Sequence, residues 1–493
     1  MTTEDAVTFA GEQRMLIDGK LVDARSQKVF DNINPATEEV LGQVADAGHE
    51  DMDTAIAAAR RAFDDGTWAT DGALRKRCLL QLQEALEEER ELIRAELVAE
   101  VGTPVLLTYG PQLDAPLSEG LTWPANFIDE FAWERDLPIG TAFGSRSRRW
   151  VAKEPVGVVG AIVPWNFPFE VTINKLGQAL ATGNTVILKA APNTPWNATR
   201  IGRLVAERTD IPPGVLQVIT TSDNMVAEDL VIDPRVDLIS FTGSTAVGRR
   251  IMEKGSTTLK RLFLELGGKS ADIVLDDADF EGKLSMAWTA CIHGGQGCAM
   301  LTRMLLPRSR YDEGMALIEA GFRNVPYGDP TDGGNLQGPQ ISAVQRDRVL
   351  GYIEKGKAEG ARLVVGGGRP AHLEKGYFVE PTLFADVENS MTIAREEIFG
   401  PVLVVIPFED DDDAVRIAND NDYGLSLAVT AGSEERAIAV ARRIRAGTAS
   451  VNGGIWYGAD APFGGYKASG IGRQNGLEGF EQYLETKTYA GPE

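Results

Sequence analysis

The chain has 493 residues, of which 43% are hydrophobic and 25% charged, and its formal net charge is −23. This length predicts two or three domains, and this composition is typical of a globular protein. The strong negative charge argues against nucleic acids and membrane surfaces as partners, because both are themselves negatively charged. The first ten residues are acidic and lack a basic segment followed by an apolar one. We therefore expect no secretory signal and a cytoplasmic protein.

The few cysteine and histidine residues narrow the chemistry further. Three cysteines, Cys78, Cys291 and Cys298, are too few for a disulfide framework, and Cys78 falls in a helical pattern as a small core residue. The three histidines are scattered, and no pair has the spacing of metal ligands. We predict no structural metal, and a hydrolase that needs a histidine base has only these three to use.

Two amphipathic helices are predicted in the N-terminal part of the chain. The first covers residues 51–63, and the second runs from about Leu74 to Val101, with apolar residues at helical spacing in both. Gly102 ends the second helix. Its glutamates Glu87 to Glu89 are interpreted as part of a solvent-exposed face.

From Val156 onward, short apolar runs alternate with helical patterns as far as residue 266. The first run, Val156 to Val163, is fully apolar, as expected of a buried parallel strand. The alternation predicts a parallel sheet with helices on both faces, which binds ligands at the carboxyl ends of its strands. Those ends carry Asn166, Lys189 and the turn at Gly243.

The rest of the chain predicts a second sheet and one isolated strand. A second α/β segment is predicted from Gly267 to Lys467. After it, the polar strand pattern from Glu481 to Ala490 has no partner nearby in the sequence. Such a strand is often added to the sheet of another domain or subunit.

Two features of the first α/β segment suit a phosphate or ribose ligand. In FTGSTAVG, Phe241 to Gly248, a strand leads into a helix whose first N–H groups attract phosphate. Ser244 or Thr245 could equally be only an N-cap. Lys189 ends an apolar strand, where it either holds ribose or phosphate oxygens or is an edge lysine that extends to solvent.

Three motifs carry residue types suited to catalysis, each with a plainer alternative. In VPWNFPF, prolines fix a turn around Asn166, whose amide either serves an oxyanion hole or packs within the turn. In LELGGKS, the apolar setting of Glu265 favours the raised pKa of a general base, or Glu265 lies at a domain hinge. In GGQGCAM, glycines leave Cys298 approachable as a nucleophile, whereas a buried structural cysteine is the commoner case.

Six motifs occur in one order along the chain: PWNFP, FTGSTAVG, LELGGKS, GQGC, EEIFGP and PFGGYKASGIGR. In this order they resemble the aldehyde dehydrogenase superfamily over nearly the whole chain. The resemblance implies an α/β fold with two doubly wound parallel-sheet domains and a small β oligomerisation arm. It implies a cofactor-binding domain at residues 1–136 and 154–266, a catalytic domain at 267–467, and the arm at 137–153 and 480–493.

The resemblance also implies the oxidation of an aldehyde to its carboxylic acid with NAD or NADP. Cys298 would attack the aldehyde, and the Asn166 amide and the Cys298 N–H would hold the oxyanion. Hydride would pass to the cofactor, and Glu265 would activate the water that hydrolyses the thioester. The residues implied for the cofactor are Ile162, Pro164, Trp165, Lys189, Gly243, Ser244, Gly248, Glu397 and Phe399.

The choice between NAD and NADP rests on one departure from the family's pattern. Pro192 stands where many NAD-preferring members have a glutamate that binds the ribose hydroxyls. Losing that carboxylate removes repulsion toward a 2′-phosphate. NADP therefore stays open beside NAD, which the family favours.

Alignment of the motifs also implies a substrate channel. An arginine typical of enzymes for semialdehyde acids would fall at Asn174, so a short carboxylate substrate is disfavoured. The aromatic side chains favour an apolar or aromatic aldehyde, and Glu170 either favours an amino-aldehyde or turns toward solvent. The channel residues implied are Phe167, Glu170, Val171, Asn174, Trp456, Tyr457 and Phe463.

Two alternatives remain beside this interpretation. A CoA-acylating dehydrogenase would pass the acyl group to CoA, but Glu265 would then have no water to activate. A non-catalytic binding protein of the same fold is disfavoured, because Cys298, Asn166 and Glu265 are all present. The family implies self-association into a homodimer or homotetramer, with a small-molecule aldehyde as the other partner.

Overall fold

A computed structural model describes residues 11–493 of the chain. The prediction about a secretory signal, and the first ten residues of the predicted cofactor-binding domain, lie outside the described residues. Within the described part, no helix is long and apolar enough to cross a membrane. Among the same residues, no group of three or more His, Cys, Asp or Glu side chains could hold a metal ion.

The described residues form twenty-two strands and eighteen α-helices. The strands are β1 Met15–Ile17, β2 Lys20–Val22, β3 Val29–Ile33, β4 Val40–Ala45, β5 Glu134–Gly140, β6 Ser147–Pro155, β7 Val158–Ile162, β8 Thr185–Lys189, β9 Leu216–Ile219, β10 Leu238–Thr242, β11 Arg261–Glu265, β12 Ala271–Val274, β13 Arg303–Pro307, β14 Arg362–Val365, β15 Thr382–Ala385, β16 Val402–Phe408, β17 Tyr423–Gly424, β18 Ser426–Thr430, β19 Thr448–Val451, β20 Tyr466–Lys467, β21 Gly470–Ile471 and β22 Leu484–Pro492. The helices are α1 His49–Asp64, α2 Thr67–Thr70, α3 Gly72–Glu88, α4 Arg90–Glu96, α5 Val105–Thr108, α6 Asp114–Glu119, α7 Thr122–Glu130, α8 Pro168–Ala181, α9 Trp196–Arg208, α10 Asn224–Ile232, α11 Thr245–Gly255, α12 Phe280–Leu284, α13 Tyr311–Phe322, α14 Ala343–Ala358, α15 Thr392–Arg395, α16 Asp411–Asn419, α17 Glu434–Ala441 and α18 Gly476–Glu481.

The first large sheet has the strand order β2-β1-β9-β8-β7-β10-β11-β21. Its five central strands, β9, β8, β7, β10 and β11, are parallel, as their apolar runs predict, and the strands outside them are antiparallel. From β7 the chain runs outward in one direction to β8 and β9, and later in the other direction to β10 and β11. The carboxyl ends of β7 and β10 therefore form a topological switch point, where such sheets bind ligands.

The second large sheet has the order β14-β15-β16-β13-β12-β18-β19. All neighbouring strands in it are parallel except β14, which pairs antiparallel with β15. Strands β12, β13, β15 and β16 are buried almost throughout, which explains why their sequences are mostly apolar and do not alternate between apolar and polar residues. Separate groups of buried apolar side chains pack on its two faces.

A third sheet of three antiparallel strands has the order β22-β6-β5. The polar strand near the end of the chain finds its partner here, since β22 pairs with β6 from Leu484 opposite Pro155 to Pro492 opposite Ser147. Most side chains of β5 and β22 are exposed. Local patterns could not show this pairing because the two strands lie more than 300 residues apart, and only the resemblance groups residues 137–153 and 480–493 in one arm.

The prediction of one continuous helix from about Leu74 to Val101 is wrong. Helix α3 ends at Glu88, α4 begins at Arg90, and a π-helical turn, Leu97–Val101, follows before Gly102. Glu89, at the break, leaves the helical conformation with φ −100° and ψ 13°.

The interpretation of Glu89 as a solvated side chain is also wrong. Its side chain is only 17% exposed, and its carboxylate accepts hydrogen bonds from Arg203 at 2.7 Å and also from Arg200. Arg200 in turn donates at 2.8 Å to Glu96, which is fully buried. A buried charge is stable only when it is paired with an opposite charge. These ion pairs therefore hold the helix break at Glu89 against α9.

Candidate active site

A cavity of about 540 Å³ opens at the switch point of the first sheet. It brings together all three predicted catalytic residues, every predicted channel residue and most of the predicted cofactor residues. The predicted residues that line it are Pro164, Trp165, Asn166, Phe167, Glu170, Val171, Asn174, Gly243, Ser244, Glu265, Cys298, Glu397, Phe399, Trp456, Tyr457 and Phe463. Ile162, Lys189 and Gly248 are not part of the lining.

Cys298 lies on an irregular loop whose glycines approach other backbone closely. Gly295 has φ +70°, and a Cβ there would lie 2.0 Å from the Gly400 carbonyl oxygen. A Cβ on Gly268 would come within 2.5 Å of the Cys298 carbonyl oxygen. Only glycine fits at these positions, so the two neighbouring segments fix the backbone that presents the thiol.

Gln296 holds this loop from inside the protein. It is fully buried; its side-chain amide donates to the His293 and Pro339 carbonyl oxygens at 3.0 and 3.1 Å, and its side-chain oxygen accepts from the Ile341 N–H at 2.9 Å. Its own carbonyl oxygen accepts a hydrogen bond from the Asn166 side-chain amide at 2.9 Å. Gln296 therefore links the loop of Cys298 to the turn that carries Asn166.

Asn166 follows β7 and comes just before α8, so its position is set by a sheet and a helix. Its main-chain oxygen lies 2.9 Å from the Gln112 side-chain nitrogen and 2.9 Å from His293 Nε2. The side-chain nitrogen carries two hydrogens, and the bond to Gln296 uses one. The other hydrogen is available to an oxygen in the cavity.

Glu265 ends β11, and its side chain is almost completely buried. One carboxyl oxygen accepts from the Thr242 hydroxyl at 3.0 Å, and the other has no hydrogen-bond partner among the described residues. Burial raises the pKa of the carboxyl, while the Lys175 and Arg473 cations and the Thr242 hydrogen bond oppose that rise. A buried carboxyl with a free oxygen and a raised pKa is suited to accept a proton from water.

The Cys298 thiol lies in a strongly negative environment. Burial raises its pKa, and the carboxylates of Glu265, Glu397 and Glu170 raise it further. Because all three carboxylates disfavour the thiolate, positive charge that enters the cavity favours ionisation.

The carboxyl edge of the first sheet has groups that fit a dinucleotide. Lys189 lies opposite Ile162 in the sheet and is 6% exposed. Burial alone lowers its pKa to about 8, since no described side chain pairs with it. Ser244 caps α11 by accepting from the Val247 N–H at 3.4 Å, so the N-cap interpretation is correct, and it also lines the cavity beside the first turn of the helix. The unpaired buried cation and the helix N-terminus suit ribose and phosphate oxygens.

Glu397 and Phe399 complete the cavity wall from the second α/β segment. The Glu397 carboxylate accepts from the Gly268 N–H at 2.9 Å, and burial raises its pKa to about 7. Phe399 has φ +60°, a left-handed conformation unusual for an aromatic residue, and its ring meets Trp165 edge-on at 5.4 Å between centroids. A strained backbone that holds one ring in place is typical of a ligand site.

Several groups of this site were not predicted from the sequence. Lys175 is fully buried one helical turn beyond Val171, donates to the Ser240 hydroxyl at 2.9 Å, and lowers the pKa of Glu265. Thr242 binds Glu265 directly. Val171 and Ala179 lie four residues before and after Lys175, so the lysine falls on an apolar face of the predicted helix, and this is the signal that could have revealed it.

The sequence and the fold of this chain are similar to those of known enzymes. The model of the aldehyde dehydrogenase family matches residues 21–489. The chain belongs to the aldehyde dehydrogenase family. A Pseudomonas 3-succinoylsemialdehyde-pyridine dehydrogenase is 41% identical over 479 residues, which cover 97% of this chain and 98% of that protein. The mitochondrial aldehyde dehydrogenase of Homo sapiens is 40% identical over 479 residues, 96% of this chain and 91% of that protein.

A solved structure shows the same fold. The crystal structure of Mycobacterium tuberculosis aldehyde dehydrogenase complexed with NAD+ has a TM-score of 0.93 to this aldehyde dehydrogenase and 41% sequence identity. It covers 98% of this chain and 99% of that one. The predictions of family, fold class and enzyme class are confirmed, and the activity is the oxidation of an aldehyde to its carboxylic acid.

Proposed function

We propose that this aldehyde dehydrogenase acts through a thioester on Cys298 that water hydrolyses, with NAD as cofactor. The support for this proposal is that Cys298, Asn166 and Glu265 line one cavity, and that one carboxyl oxygen of Glu265 has no hydrogen-bond partner among the described residues. Nucleophile, oxyanion donor and general base are the three groups that the oxidation of an aldehyde to an acid requires.

The first step is the attack of sulfur on the aldehyde. Cys298 reacts as its thiolate, formed by release of the proton to bulk solvent before the attack; its sulfur forms a bond to the carbonyl carbon while the C=O π electrons move to oxygen. The resulting oxyanion accepts hydrogen bonds from the free Asn166 amide hydrogen and from the Cys298 N–H. A dinucleotide held at the sheet edge would supply the hydride acceptor, and loss of hydride from the tetrahedral carbon would leave a thioester on Cys298.

The second step is hydrolysis. Glu265 takes a proton from water through its free carboxyl oxygen, and the water oxygen attacks the thioester carbon. The C–S bond breaks, sulfur leaves as thiolate, and the acid is released. A CoA-acylating enzyme would have no use for this base, so the hydrolytic reaction is favoured over the CoA alternative.

NAD is proposed because the residues of the sheet edge fit a dinucleotide and the M. tuberculosis relative was crystallised with NAD+. Lys189 and Glu397 would hold the two riboses, Ser244 and the first turn of α11 the pyrophosphate, and Trp165 and Phe399 would border the nicotinamide. Pro192 leaves no carboxylate at its position to repel a 2′-phosphate. Initial rates with NAD and NADP at equal concentration test the preference, and faster reduction of NADP would contradict it.

The catalytic roles are tested by Cys298→Ala with a simple neutral aldehyde. We expect dehydrogenase turnover to vanish, because the alanine side chain cannot form the thioester. Product analysis with and without CoA then separates the two acyl acceptors. Turnover near the wild-type level in Cys298→Ala, or an acyl-CoA product in place of the acid, would overturn the proposal.

We also propose a cytoplasmic homodimer or homotetramer assembled through the three-stranded sheet of β5, β6 and β22. Its strands expose most of their side chains, and Phe143, on the turn between β5 and β6, is fully exposed. The family resemblance places its oligomerisation arm at residues 137–153 and 480–493, which overlap all three of these strands. Light scattering after size-exclusion chromatography measures the mass, and a monomer at micromolar concentration would contradict this assembly.

A further inference from the structure

Glu170 differs from the other two carboxyl groups that face the cavity. Glu265 has Lys175 and Arg473 nearby, and Glu397 has Arg348 and Lys269. No basic side chain within residues 11–493 acts on Glu170. Burial raises the pKa of its carboxyl group to about 7. The charge of Glu265 also raises this pKa, whereas the hydrogen bond from the Tyr457 hydroxyl lowers it. Glu170 thus has a half-buried carboxyl group that faces the cavity and is not paired with a basic side chain. Such a group is suited to bind a positively charged part of a ligand.

The walls around Glu170 also suit a cation. Trp456 and Phe463 stack with ring centroids 5.2 Å apart and an interplanar angle of 5°, and Phe167 lines the same space. Aromatic faces attract alkylammonium groups while they pack against the carbon atoms beside them. Arg348 is the one basic residue among those lining the cavity in the described part of the chain, and its side chain donates to the Glu397 carbonyl oxygen at 2.8 Å.

Acidic groups continue along the segment Tyr457–Asp460. A smaller cavity of about 360 Å³ is lined by the acidic residues Glu119, Glu130 and Asp460 together with aromatic side chains. The Ala459 N–H donates to the Glu119 carboxylate at 3.2 Å, so this second cavity borders the same segment as Tyr457. Negative charge on both sides of one segment raises the local concentration of cations.

We propose that the enzyme's substrates are aldehydes with a cationic amine at the end remote from the carbonyl, and that the Glu170 carboxylate binds the ammonium group. Tyr457 acts as a positioning residue, because its hydroxyl lies beside the Glu170 carboxyl. Trp456, Phe463 and Phe167 enclose the carbon chain between the two ends. This inference rests on the proposed function, since it places the aldehyde end at Cys298.

The test compares two aldehydes of the same shape. The probe is 4-(dimethylaminomethyl)benzaldehyde, whose tertiary amine is protonated at neutral pH and cannot condense with aldehydes, and the neutral partner is 4-isobutylbenzaldehyde. We expect wild-type kcat/KM to be ~10-fold or more higher for the amine, since a charge-assisted hydrogen bond forms only with it. In Glu170→Gln, kcat/KM for the amine should fall ~10–100-fold and stay within ~3-fold for the neutral aldehyde.

Two controls keep the test decisive. Glu388→Gln removes the same charge from an exposed position outside the cavity lining, and kcat/KM should stay at the wild-type value for both substrates. Benzyldimethylamine, which has no aldehyde, should inhibit the wild-type enzyme in competition with the neutral substrate and bind ~10-fold more weakly to Glu170→Gln.

The outcomes separate this inference from the proposed function. Wild-type turnover of the neutral aldehyde with no preference for the amine, or an equal loss for both substrates in Glu170→Gln, would overturn the role of Glu170 alone. Turnover of either substrate by Cys298→Ala near the wild-type level would overturn the proposed function itself.

Discussion

Replacing Asn166 by Ala tests the oxyanion site most directly. The side-chain nitrogen gives one hydrogen to the Gln296 carbonyl oxygen at 2.9 Å, so the substitution removes one free donor from the cavity. One such donor contributes ~3–4 kcal/mol to the transition state, which corresponds to a loss of ~10²–10³-fold in the rate of acylation. The Cys298 N–H remains, so a measurable residual rate is expected.

The assay is a rapid-mixing measurement of the burst of reduced cofactor at saturating aldehyde. Gln112→Leu is the matched control, because it removes a hydrogen bond to the Asn166 main chain at 2.9 Å while the side-chain donor stays. We expect less than ~10-fold loss in that variant. If Asn166→Ala keeps its fold, judged by thermal unfolding, and its burst rate stays within ~3-fold of wild type, the oxyanion role is refuted.

Three further variants examine the base and the loop of the nucleophile. Glu265→Gln should keep the burst of reduced cofactor but lower steady-state turnover ~10²–10⁴-fold, and unchanged turnover would exclude Glu265 as the base. Lys175→Met removes a cation that lowers the pKa of Glu265, so this pKa should rise. Because the base works only when deprotonated, the acid limb of the pH profile of kcat should then move to higher pH. An acid limb at the wild-type pH would contradict this role of Lys175. Gly268→Ala places a Cβ 2.5 Å from the Cys298 carbonyl oxygen and should lower kcat ~10-fold or more, whereas Gly351→Ala, with nothing within 4 Å, should have wild-type kcat.

The position of the cavity at the carboxyl edge of the first sheet could be predicted from the sequence because its signals are local. The runs at Thr185–Lys189 and Leu238–Thr242 are continuous and apolar, and the structure has them as parallel strands of one sheet. Once the strands alternate with helices, the ligand end of the sheet follows from topology alone. Residues directly after those strands, such as Gly243, therefore face the cavity as expected.

Features that depend on distant partners could not be predicted in this way. The helix break at Glu89 follows from ion pairs with Arg200 and Arg203, more than 100 residues away. Gln112 and Gln296 act on Asn166 from two other segments of the chain; no local pattern marks Gln112, and the motif GQGC that contains Gln296 does not show its contact with Asn166. Such contacts are set by packing, which the spacing of apolar residues does not encode.

The distribution of charge in the cavity links the proposed chemistry to the proposed substrate. Glu170, Glu265 and Glu397 all raise the pKa of the Cys298 thiol, so these carboxylates favour the protonated, less reactive form of the nucleophile. In the proposed mechanism Glu170 binds the amine, Glu265 is the base and Glu397 binds a ribose. These three negative charges are compatible with a reactive thiolate only if positive charge enters the cavity. An ammonium group bound at Glu170 would neutralise the one carboxylate that has no cation of its own. A cationic substrate would thus not only fit this cavity but also lower the pKa of the thiol that attacks it.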